Sequence, residues 1–225
     1  MPQSRPVAAG AVRRGPRLAA FPRLAARPAA DRSESGKIRG GSRMNGSAQA
    51  FIAHLGGLHE HDPAAIAALR RSQGFAPGAY PPAYPYVERF VRTGSHAQDP
   101  RRLAFYVVAG LFARHPHPAP RSLAASFGEL FEKRRRMSGG GGSIEKRFIA
   151  LLGADAENLP DYLRQAVSLL ATEDIGLDYT ALLRDLGFWL NPRLDPEIRD
   201  RIRQRWARDF YGALAFEPEH SAVSQ

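Results

Sequence analysis

LPDYLRQAVSLLATEDIGLDYTALLRDLGFWL, residues 159–190, is the stretch that decides the fold. Leu159, Tyr162, Leu163, Ala166, Val167 and Leu170 recur at the three- and four-residue steps of one face of an α-helix. Tyr179, Leu182, Leu183, Leu186, Trp189 and Leu190 repeat the pattern. Downstream, DPEIRDRIRQRWARDFYG (195–212) carries Ile198, Ile202, Trp206 and Phe210 on one stripe, with Arg201, Arg205 and Arg208 on another. No segment alternates apolar and polar residues as a half-buried strand does.

The same period runs upstream. SIEKRFIALLGA (143–154) opens on Ser143 as a cap, and RSLAASFGELFEKRRRM (121–137) places Leu123, Phe127, Leu130 and Phe131 together. RRLAFYVVAGLFARH (101–115) is apolar nearly all round, which predicts a central helix entered at Asp99-Pro100. Asp62-Pro63 reads as the start of another helix, and residues 47–60 put Phe51, Ile52, Leu55 and Leu58 on one face. GFAPGAYPPAYPYVERF (74–90) interrupts, with a helix resuming near Tyr86. The expectation is an all-α protein of about eight or nine helices in two small helical bundles, 44–142 and 143–217, joined by the glycines at 139–142.

The totals fit a globular protein. Hydrophobic residues make up 44% and charged residues 24% of 225. No apolar run reaches the roughly 18 residues of a membrane span, so no membrane partner is expected. With no cysteine, disulfides and thiolate metal sites are excluded, which suits a cytoplasmic protein.

The net charge of +10 is uneven. Residues 1–43 hold ten Lys/Arg against two acids, leaving +2 for the remainder. This tail is rich in Ala, Arg, Pro and Gly and cannot bury enough apolar surface to offset its ordering entropy. It is expected to be disordered, as are residues 218–225. It can be a transit peptide, a nucleic-acid-binding arm, or sequence upstream of a native start at Met44.

KRRRMSGGGGSIEKRF (133–148) lacks the Lys-Ser/Thr of a P-loop and follows a helix rather than a strand. Its glycines read as a connector. Lys146 and Arg147 begin a helix, where the dipole disfavours cations, so an anionic partner is a reason for them. Histidines at 54, 59, 61, 96, 115 and 117 lack the spacing of a metal motif. His61-Asp62 invites comparison with helical metal-dependent phosphohydrolases, although Asp62 also serves as a helix cap. No nucleophile elbow is present. Basic clusters at Arg70-Arg71, Arg101-Arg102, 133–136, Lys146-Arg147, Arg164 and the Arg201/Arg205/Arg208 face can form a phosphate-tracking stripe. The tyrosines of AYPPAYPY can stack on bases or pack on the bundle.

The ordered series AALRRS, RRLAFYVVAGLFARHP, SLAASFGEL, SIEKRFIALLGADAENLPDYLRQAVSLLATEDIGLDYTALLRDLGFW and RIRQRWARDFYG resembles the small subunit (CasB family) of the type I-E CRISPR effector complex, Cascade. The likeness spans residues 47–212, and the basic tail has no counterpart in it. It implies two helical bundles, no catalytic activity and no cofactor. It implies partners too: the guide-RNA-containing subunits of Cascade, a second copy of the same chain, and target DNA gripped along its phosphates. Carried over by position, the basic residues implied are Arg70, Arg71, Lys146, Arg147 and Arg164, then Arg203 and Arg205 on the last helix. Arg101 and Arg102 join them from the clusters above. Two rivals stay open: a helical assembly scaffold that never touches nucleic acid, and the metal phosphohydrolase using His61 and Asp62.

Overall fold

Four helices are opened by an aspartate, the last of them spanning Pro196–Leu214, where Asp195 accepts the Glu197 amide at 2.9 Å. Asp62 accepts the Ala65 amide at 2.9 Å, Asp99 accepts those of Arg101 and Arg102 at 2.8 and 3.3 Å, and Asp178 accepts that of Ala181 at 2.9 Å. Each bond satisfies an amide that helix geometry leaves unpaired, a gain of about 1 kcal/mol per cap. Pro63 and Pro100 follow the first two, where a missing N–H costs nothing.

The structure is a computed structural model and describes the backbone of residues 35–138 and 141–214, with side chains for 46–137 and 141–214. Among these residues the chain is all-α, as the periodicity predicts. The helices are α1 (Ser35–His61), α2 (Pro63–Ser72), α3 (Tyr84–Val87), α4 (Pro100–Arg114), α5 (Leu123–Ser138), α6 (Gly141–Gly153), α7 (Leu159–Thr172), α8 (Tyr179–Trp189) and α9 (Pro196–Leu214). The extended element among them is one isolated bridge, Pro118 with Leu177. No helix among the described residues is long and apolar enough to cross a membrane.

Two boundaries differ from the sequence reading. Helix α1 begins at Ser35, inside the stretch expected to be disordered. Once residues 48–58 are packed, each further residue adds one hydrogen bond without a new nucleation cost. Residues 1–34 and 215–225 lie outside the described part, as do Gly139 and Gly140. Helix α6 begins at Gly141 rather than behind a Ser143 cap. Gly141 is buried, and a β-carbon there would stand 2.9 Å from the Phe131 ring, so the missing side chain lets α6 start against α5. The helix expected near Tyr86 is the four-residue α3, flanked by 3₁₀ turns at 81–83 and 88–90. Proline density there keeps it short.

Helix α4 is the axis of the packing. Every residue from Tyr106 to Ala113 is buried, as a helix apolar on all sides requires. It packs against α2, α7 and α8, while α5 packs against α6 and α9. One continuous buried cluster therefore runs from Ala48 on α1 to Phe210 on α9. Aromatic pairs fix its registers: Phe148 stacks on Phe210 with ring centres 4.1 Å apart, Trp189 meets Trp206 at 5.1 Å, and Phe51 meets Phe105 edge-on at 4.8 Å. The tyrosines of AYPPAYPY pack on the bundle. Tyr80 stacks with Phe75, and Tyr84 donates to the Gly78 carbonyl at 3.0 Å beside Tyr106.

Candidate nucleic-acid interface

Three arginines converge where α2, α4 and α7 meet. Arg70, near the end of α2, donates through Nε and Nη2 to the Ala113 carbonyl at 3.0 and 2.8 Å. That carbonyl lies in the last turn of α4, whose dipole favours a cation. Arg114, one residue on, donates through Nε to Gln73 Oε1 at 2.7 Å. Arg164 on α7 donates through Nη1 to the Gln73 carbonyl at 3.1 Å. Gln73 thus binds two of the three guanidinium groups and sits over Gly110, where a β-carbon would come within 2.7 Å of its Cγ.

The charge balance at this junction is positive. Burial pushes the Arg114 guanidinium below its ordinary value, and the nearby charges of Arg164 and Arg70 push it the same way. The carboxylate paired there is Asp161, 2.9 Å from Arg164 and itself mostly exposed. Like charges gathered this way repel unless an anion joins them. Each guanidinium carries five N–H donors, more than the bonds above use, so each retains capacity for a phosphate oxygen. Arg71 stands beside Arg70 on α2, exposed and with no ion pair among the described residues. Arg164 also lines a cleft of about 720 Å³ with Phe75, Gln98, Glu157 and Pro160.

The other sequence-predicted cations divide into two groups. Arg101 at the start of α4 and Lys146 and Arg147 on α6 are exposed and form no ion pair among the described residues. Arg102 and Arg203 are partly buried and held by contacts within the fold, and Arg205 is exposed but paired. Arg102 grips Glu88 at 2.5 Å, donates to the Ala97 carbonyl at 3.0 Å and lies 4.8 Å from the Tyr106 ring centre, with its side chain only 11% exposed. Arg203 donates to the Ala154 carbonyl at 3.3 Å, pairs with Asp200 and stacks over Trp189. Arg205 pairs with Asp185 at 2.5 Å.

The basic run beside the glycines is also paired. Lys133 and Arg134 meet Glu173 at 2.7 and 2.6 Å, and Arg135 and Arg136 meet Glu132. The Glu173 pairs tie the end of α5 to the end of α7, while the Glu132 pairs lie within α5. Sequence reasoning has no view of Arg114 or Gln73. Arg114 is the lone cation late in an otherwise apolar helix, and that isolation is the signal that marks it. His61 is exposed beside Glu60, and Asp62 caps α2, so the pair supplies no buried metal cradle. The His/Asp group found among the described residues lies elsewhere, at His115, His117 and Asp174.

The family model for CRISPR-associated protein Cse2 matches residues 65–211. CRISPR-associated protein Cse2 of Thermus thermophilus is 44% identical over 158 residues, covering 69% of this chain and 83% of that protein. The crystal structure of M. ruber CasB is 34% identical with a TM-score of 0.60, over 75% of this chain and 94% of that one. A chain of a CRISPR RNA-guided surveillance complex is 24% identical with a TM-score of 0.60, over 76% and 95%, and so shares the fold.

Proposed function

The chain belongs to the CRISPR-associated Cse2 family, and from that premise we propose that it is a non-catalytic subunit of a cytoplasmic RNA-guided surveillance complex, gripping a nucleic-acid strand by its phosphates. The observation that carries this reading is the meeting of Arg70, Arg114 and Arg164 with one paired carboxylate, Asp161. Exposed cations elsewhere, at Arg71, Arg101, Lys146 and Arg147, offer further phosphate contacts. Contacts of this kind read charge and backbone geometry rather than sequence; sequence reading is left to the guide RNA. Membership of the complex is supported by the shared fold of a chain from an RNA-guided surveillance complex. Its partners are then the guide-RNA-bearing subunits, the target DNA and a second copy of the chain.

The test is fluorescence anisotropy of the full-length chain with labelled single-stranded DNA across a salt series. Affinity falls linearly with the logarithm of salt, and the Arg70→Gln/Arg164→Gln double variant loses about 0.7 from the slope per phosphate contact removed. A slope unchanged in that variant refutes the assignment of these residues. The scaffold reading draws on the internal pairing of Arg102, Arg203 and Arg205. It predicts complex assembly that survives neutralising the exposed cations, together with unchanged DNA targeting.

A further inference from the structure

Immediately beyond Arg114, the loop that leaves α4 is locked to a second loop. One is the α4–α5 loop, 115–122; the other is the α7–α8 loop, 173–178. The Ala119 amide donates to the Leu177 carbonyl at 3.0 Å, and the Leu177 amide donates back to the His117 carbonyl at 3.2 Å. Ser126 Oγ holds the Gly176 carbonyl at 2.7 Å, and the buried Tyr179 hydroxyl holds the His115 carbonyl at 2.5 Å. Gly176 has no room for a side chain, because a β-carbon would stand 2.8 Å from the His117 carbonyl oxygen. The backbone around this junction is therefore fixed by contacts that owe nothing to any ligand.

This frame presents three donors. One ligand atom each from His115, His117 and Asp174 lies within 4.8 Å of the others. His115 is buried, and its Nε2 donates to the Ile175 carbonyl at 2.8 Å, which fixes the ring and leaves the lone pair on Nδ1. A backbone carbonyl holding the second ring nitrogen is the usual outer support of a metal-bound imidazole. His117 Nδ1 lies 2.8 Å from Asp174 Oδ1, and both side chains are open to solvent, at 45% and 83% exposed. Asp174 holds φ at +54°, in the left-handed region where glycine or asparagine usually ends a helix.

We propose that His115, His117 and Asp174 form a binding site for a divalent transition metal of the zinc class, clamping the α4–α5 loop to the α7–α8 loop. Two imidazoles and one carboxylate suit zinc, cobalt or nickel rather than calcium or magnesium, which take all-oxygen shells. A tetrahedral ion leaves its fourth position to water. The two exposed side chains close on it by rotation while His115 stays fixed. The ion ties the two halves of the chain together at a seam the backbone already aligns.

The experiment is calorimetric titration of the tag-free, full-length chain with zinc chloride, with cobalt absorption as a second readout. One equivalent binds, and tetrahedral cobalt gives intense visible bands. His117→Gln and Asp174→Asn each weaken binding at least about tenfold, and asparagine keeps the left-handed backbone. His59→Gln/His61→Gln, which removes the exposed histidines at the end of α1, leaves binding unchanged. Zinc raises the melting temperature of the wild type and not of His117→Gln or Asp174→Asn. The proposal is overturned if the wild type takes up no zinc, in which case His117 and Asp174 are a plain hydrogen-bonded pair. It is equally overturned if both variants bind as tightly as the wild type.

Discussion

A β-carbon on Gly128 of α5 would stand 2.5 Å from the Phe210 carbonyl oxygen of α9, and 2.9 Å from the Ala213 β-carbon. The missing side chain is what lets α5 and α9 lie against each other. Gly128→Ala forces the helices apart along the face that buries Phe127, Phe148 and Phe210. Overpacking of this kind costs about 1–3 kcal/mol, read as a fall of several degrees in melting temperature. Gly212, also on α9, has nothing within 4 Å of its β-carbon position. Gly212→Ala therefore gains helix propensity without a clash, up to about 1 kcal/mol. Opposite signs from the same substitution on packed helices are the expected outcome, and equal signs refute the close approach.

The Glu88 carboxylate ties α4 to the turn before it. It accepts from Arg102 Nε and Nη2 at 2.9 and 2.5 Å and from the Tyr106 hydroxyl at 2.7 Å. Burial pushes this carboxyl up, but the Tyr106 and Arg102 bonds outweigh it and hold it below the usual carboxylate range. A carboxyl depressed in the folded state gives stability that is fully present above its unfolded value, about 4.3. That stability is lost as pH falls through the lower folded value. Glu88→Gln therefore lowers the melting temperature most near neutral pH, and the gap to wild type narrows on acidification. A gap that stays constant from neutral to acid refutes the charged pairing.

Asp185 on α8 is bound from α9 by two residues: Arg205 Nη2 meets Oδ1 at 2.5 Å and Trp206 Nε1 meets Oδ2 at 2.7 Å. Trp206 is buried. Asp185→Ala strands its indole N–H, a loss of about 1–3 kcal/mol. Arg205→Ala keeps the indole satisfied and breaks a half-exposed pair, which is worth about 1 kcal/mol or less. Urea melts should rank the aspartate variant well below the arginine variant. The reverse order would mean the ion pair outweighs the indole bond.

How far the chain reads from its sequence follows from what local pattern encodes. The apolar stripes of 159–170 and 179–190 and the aspartates at 62 and 99 specify helices and their starts, because period and capping are local. Which helix packs on which is not local. Periodicity shows that α5 has an apolar face but not that α9 covers it, and Gly128 looks in sequence like any helical glycine. The cations show the same limit. Arg70 and Arg102 are both one half of an Arg-Arg pair, yet one joins a cluster of like charge and the other is held by Glu88. The partner that decides between them is 14 residues away for Arg102 and 43 for Arg70. The histidines at 115 and 117 read as dispersed because their third member, Asp174, comes from another loop.

Pairing inside the fold makes a final prediction that separates surface from scaffold roles. Arg71, Arg101, Lys146 and Arg147 are exposed and have no ion pair among the described residues. Replacing each by glutamine leaves stability within about 0.5 kcal/mol of wild type. If they meet phosphates, each loss lowers the salt slope of single-stranded DNA binding by about 0.7, and the four together reduce it by roughly four times that. Arg203→Gln behaves the other way, because its guanidinium holds the Ala154 carbonyl and the Trp189 ring. It lowers the melting temperature and leaves the slope alone. A combined variant of the four exposed residues that keeps the full slope would place the phosphate contacts elsewhere, and a stable Arg203→Gln with a reduced slope would move that residue from the interior to the interface.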